Sequence, residues 1–119
     1  MSNYQIWFDR SFKSLANDKV YEAIREFNGA IFRILSDKDI NKYMEIILKN
    51  MTQIFEMLFE KQLIHEIHQI MNFYFSKLNK MKLDVEYRDL LLEIPNRVKN
   101  AYIIPILFNY FLDFSSNFS

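Results

Sequence analysis

The chain has 119 residues, half of them apolar and 17% aromatic, and its 15 basic residues balance 15 acidic ones. That composition excludes intrinsic disorder, which needs low hydrophobicity and high net charge, and shows no basic surplus of the kind nucleic-acid binding draws on. One Gly and two Pro are too few corner residues for a strand-and-turn fold, and the absence of Cys excludes disulfides and thiolate metal sites. The expectation is one all-α domain, 1–119, built as a compact bundle of about five or six helices.

Residues 4–15 place Tyr4, Trp7, Phe8, Phe12 and Leu15 three and four apart, as one face of a short helix does. Trp7 reads as an anchor or a lid on the core. Asn17 and Asp18 offer an N-cap for a second helix over about 18–35. Its stripe is Val20, Tyr21, Ile24, Phe27, Ile31, Ile34 and Leu35. Gly29 interrupts that helix, and the reading is that it lets a neighbouring helix come close.

Ser36 is the next expected N-cap, with Asp39 in the place of a capping-box acid. From 37 onward Ile40, Met44, Ile47, Met51, Ile54 and Leu58 alternate four and three apart, a heptad seam. Continued strictly, it would land on Lys61 and His65. The apolar stripe resumes instead on Leu63, Ile67, Ile70, Tyr74 and Leu78, two residues out of phase. A straight helix over 37–79 would be about 65 Å long, so a kink or turn near residues 60–62 is expected.

Asn79–Leu83 reads as a loop, followed by a short helix from Asp84 to about Ile94. Pro95 fits the first turn of a last helix. Eleven of the fourteen residues of Ala101–Phe114 are apolar, and Pro105 should kink that C-terminal helix. The run is shorter than the ~20 residues that span a bilayer, and the N-terminus lacks a signal-peptide pattern. No membrane association is expected, and the location is read as cytoplasmic.

Candidate chemistry is sparse. His65 and His68, the two histidines, lie three apart and share a helix face, but neither zinc-peptidase nor di-iron spacing surrounds them. Acid pairs such as Glu56 and Glu60 are neighbours on one helix face, not carboxyls across a cleft, and read as solvated. No catalytic residue, metal or cofactor is assigned.

The unusual feature is aromatic and Met-rich surface. Met71, Phe73, Phe75, Tyr102, Phe108, Phe111 and Phe114 are the candidate partner-binding residues, because apolar side chains point in more directions than one bundle hides. The function expected is a non-enzymatic protein–protein interaction module, homo-oligomeric, that blocks or scaffolds a partner. An Ile-, Asn-, Lys- and Phe-rich composition suits an AT-rich genome, where such small helical proteins are often viral or mobile-element inhibitors. The alternatives are a nucleic-acid-associated subunit using Lys38, Lys42, Lys49, Lys77, Lys80 and Lys82, or a bundle holding an apolar ligand or metal.

Overall fold

The computed structural model describes residues 3–78 and 93–116, with the backbone alone at Pro95 and 111–116. Among them are six helical segments and no strand: α1 (Tyr4–Ala16), α2 (Val20–Leu35), α3 (Ile40–Glu60), α4 (Ile64–Leu78), the single turn α5 (Ile94–Arg97) and α6 (Ile104–Ser116). The expected all-α class is what the structure shows. The chain divides into two compact units, Met1–Asn50 and Met51–Ser119, with the division inside α3. The loop and cap expected at Asn79–Asp84 lie outside the described residues.

The first unit is built on the α1–α2 pair. Phe8, Ser11 and Leu15 on α1 face Ala23, Ile24, Phe27, Ala30, Ile31 and Ile34 on α2, all buried. Rings lock the pair: Phe8 meets Phe27 edge-on at 4.9 Å, and Phe12 lies tilted 6.5 Å from the same ring. Each fully buried Phe or Ile contributes roughly 1.5–3 kcal/mol by leaving water. Close approach comes from small residues at the crossing, where the Ser11 hydroxyl donates to the Ala23 carbonyl at 2.8 Å.

Gly29 therefore has a different role from the one expected. Among the described residues a Cβ there would meet the Arg33 guanidinium, at 3.0 Å, and no neighbouring helix. Arg33 folds back to donate to the Gly29 carbonyl at 3.0 Å and lies 3.9 Å over the Trp7 ring, with Arg10 4.9 Å from it. Trp7 is thus half-buried under two cations. Tyr21, expected on the stripe, is 79% exposed.

Two helix ends depart from the expected caps. Asn17 and Asp18 end α1 instead of opening α2: Asp18 has φ 60°, its N–H reaches Leu15 O at 3.0 Å, and Lys19 N–H reaches Ser14 O at 2.9 Å. That is a Schellman ending, with Asp where Gly is usual. Ser36 closes α2 by donating to Phe32 O at 2.9 Å, and Asp37 takes the cap role ahead of α3 by accepting the Asp39 N–H at 2.8 Å. The α3 start accordingly shifts to Ile40.

The remaining α3 residues of the first unit supply one polar lock. Asn50 is fully buried and exchanges two amide bonds with Gln5, at 3.0 and 2.9 Å, while also donating to Ile46 O at 2.8 Å. Gln5 in turn donates to Asp9 at 2.9 Å.

In the second unit the expected turn near residues 60–62 is present. Gln62 has φ 62°, its N–H reaches Phe59 O at 2.9 Å and Leu63 N–H reaches Leu58 O at 2.8 Å. This second Schellman ending turns the chain without Gly or Pro. The core is Met51, Ile54, Phe55 and Leu58 of α3 with Ile67, Ile70, Met71, Tyr74, Phe75 and Leu78 of α4, joined by Ile94, Val98, Ile103 and Leu107. Met71 and Phe75, offered by the sequence to a partner, belong to this core because α4 buries a stripe two residues wide. Pro105 breaks the apolar run by starting α6, and no kink results: in the first turn a missing N–H leaves no bond unmade.

Candidate functional site

In the second unit a groove of about 730 Å³ opens beside the α3–α4 turn, lined by Glu56, Phe59, Glu60, Gln62, Ile64 and Asn100. Its walls are fixed from two sides. The Schellman turn sets the backbone at Gln62. Across from it, Glu56 Oε1 accepts the backbone N–H of Lys99, and that of Asn100 at 3.0 Å. Asn100 Oδ1 then accepts the Tyr102 N–H at 3.0 Å, an Asx turn. Glu56, expected on a solvated face, instead ties the segment before α6 to α3. Charge-assisted bonds from two successive amides to one carboxylate are among the stronger hydrogen bonds.

Tyr102 follows directly from that anchor. Its ring lies parallel to Phe59, 4° apart with centroids at 6.4 Å, and the residue remains 77% exposed. Phe108, on the first turns of α6, is 52% exposed, whereas its neighbours Ile103 and Leu107 are fully buried. Two exposed aromatics, one just before α6 and one in it, therefore stand beside the fully buried Ile103 and Leu107.

Of the seven expected partner-binding residues, Tyr102 and Phe108 are exposed and Phe73 is half-buried with the Lys77 ammonium 5.5 Å from its ring. Met71 and Phe75 are interior. The side chains of Phe111 and Phe114 lie outside the described ones. The groove residues Phe59, Glu60, Gln62, Ile64 and Asn100 were not legible as a set. The available signal was Phe59, an aromatic one position off the seam just before the phase slip.

The histidines separate. His65 is exposed, and His68 is half-buried with Nδ1 2.6 Å from the Tyr110 hydroxyl. Phe75 stacks on Tyr110 with centroids at 6.2 Å, so the His68–Tyr110–Phe75 column holds α6 to α4. Burial pushes the Tyr110 hydroxyl above its ordinary range. Among the described residues no three His, Asp or Glu side chains gather as metal ligands do, and no helix is long and apolar enough to cross a membrane.

Two buried polar atoms in this unit have no partner among the described residues. The first is the Tyr74 hydroxyl, on a fully buried ring, whose ionisation burial strongly disfavours. Glu66 Oε2 is the second, on a half-buried residue.

Compared with known proteins, the chain matches no family model, no curated protein and no solved structure.

Proposed function

We propose that the chain is a non-enzymatic, self-associating protein–protein interaction module whose docking edge is formed by Tyr102 and Phe108. The observation that carries this reading is their exposure, 77% and 52%, on a segment whose alternate residues Ile103 and Leu107 are fully buried. Neither residue is among the buried side chains of the second unit. Large aromatics left in water beside a packed core are the side chains that interfaces enrich, and Tyr and Phe lose little conformational entropy on docking. The module would block or scaffold a partner protein in the cytoplasm, as small inhibitors of viral or mobile-element origin do.

The test is light scattering over a concentration series with the wild-type chain and a Tyr102→Glu, Phe108→Glu double variant. The reading expects the wild-type mass to rise above the 14.5 kDa of one chain and the double variant to stay at it. A wild-type chain that remains monomeric at high concentration would count against self-association through this edge.

A further inference from the structure

Building on that docking edge, we propose that the neighbouring groove takes an arginine side chain presented by the partner protein. The groove holds two carboxylate residues, Glu56 and Glu60, an aromatic wall in Phe59, and the amide residues Gln62 and Asn100; among the described residues that line it there is no Lys or Arg. Glu56 spends only Oε1 on the Lys99 and Asn100 amides, so Oε2 takes no part in that anchor. Glu60 is exposed. The Phe59 ring, a wall of the groove, is stacked parallel to Tyr102 to within 4° and sets an apolar ring beside these acids.

A guanidinium matches both parts of that surface. It is planar and weakly hydrated, stacks on an aromatic face, and donates a fork of N–H groups to carboxylates. An ammonium is compact and strongly hydrated and would use the carboxylates but little of the wall. An uncharged apolar group would leave the acids without a counterpart. Both walls are held before any ligand arrives, one by the Gln62 turn and one by the Glu56 anchor, so binding need not order the groove.

The experiment is a titration of the full chain, followed by amide NMR, with N-acetyl-arginine methylamide and its lysine and citrulline counterparts. The arginine probe should give saturable shifts at Phe59, Glu60, Gln62 and Asn100, the lysine probe weaker ones, and neutral citrulline none. Phe59→Leu should weaken arginine binding roughly two- to fivefold, the range of an exposed cation–π contact. Glu60→Gln, at an exposed side chain outside the anchor, should weaken it roughly two- to fivefold. Equal shifts from citrulline, no saturable shift at the groove, or unchanged binding in Glu60→Gln would each overturn the proposal. Failure here leaves self-association through Phe108 standing, because the probe is a small molecule and the variants spare Tyr102 and Phe108.

Discussion

The two units treat their fully buried polar groups in opposite ways. In the first, Ser11 and Asn50 are both fully buried and both bonded, Ser11 to a carbonyl and Asn50 to Gln5 and Ile46. In the second, the ring of Tyr74 is as deeply buried and its hydroxyl has no partner among the described residues. The half-buried Asn28 Oδ1 is the first unit's own loose end. A satisfied buried amide specifies which helices meet; an unsatisfied hydroxyl only lowers stability. The first unit therefore reads as a scaffold fixed by polar matching. The second buries an apolar core, keeps its polar ties at Glu56 and His68 outside the fully buried interior, carries an exposed aromatic edge, and has stability left to gain.

The sharpest break in that comparison is Asn50→Ala. It removes three hydrogen bonds and opens a cavity, leaving the Gln5 side-chain carbonyl without its Asn50 donor, and should cost about 2–4 kcal/mol. Urea unfolding followed by fluorescence reads it directly, because Trp7, the one tryptophan, lies in the first unit. In the second unit the sign reverses: Tyr74→Phe deletes a buried hydroxyl that has no partner among the described residues and should raise stability by about 1 kcal/mol. Circular dichroism during denaturation measures that gain. An unchanged or lowered midpoint would mean the hydroxyl is not a liability.

A smaller gain is expected at the turn that shapes the groove. Gln62 holds a left-handed backbone conformation that costs an L side chain roughly 1–2 kcal/mol. Gly adopts it freely but loses more chain entropy on folding, so Gln62→Gly should stabilise by about 0.5–1 kcal/mol. A drop in the denaturation midpoint would show that the Gln62 side chain contributes more than its backbone costs.

The smallest effect lies in pH. The Tyr4 hydroxyl donates to Asp37 and, after it, the Asp39 N–H; together they hold the Asp37 carboxyl below its ordinary value of 3.8. A group depressed in the folded state stabilises above its unfolded value and loses that contribution as pH falls through the folded one. First-unit stability should therefore decline below about pH 4, and Asp37→Asn should flatten that decline. The same bond pushes Tyr4 up to about 12. Its contribution is full below pH 10 and is lost as pH rises through about 12.

Much of the helical plan was legible because periodicity carries it. The α3 seam and its end follow from a two-residue slip in apolar phase between Leu58 and Leu63, and the structure turns at Gln62. What periodicity could not give was how wide a stripe each helix buries. Met71 and Phe75 looked surplus beside Ile67, Ile70 and Tyr74, yet all five are interior. Polar core positions were illegible for a related reason. Ser11 sits between Phe8 and Leu15, and Asn50 between Ile47 and Ile54, at helical spacing, so both occupy stripe positions. Recognising them as buried requires the partner each one meets. Gly29 shows the same limit: sequence marks a missing side chain but not that an arginine from its own helix fills the space. The groove combines a turn, a carboxylate anchor and a residue more than forty positions away, and local pattern contains none of that.

The most direct test of the account uses the Tyr102→Glu, Phe108→Glu double variant beside the wild type as immobilised baits in an extract of the native host. Both side chains are exposed, so folding stability should change by no more than about 0.5 kcal/mol. The account predicts that at least one protein retained by the wild type is released by the variant while both baits unfold at the same urea concentration. Identical retained proteins on two equally folded baits would contradict it.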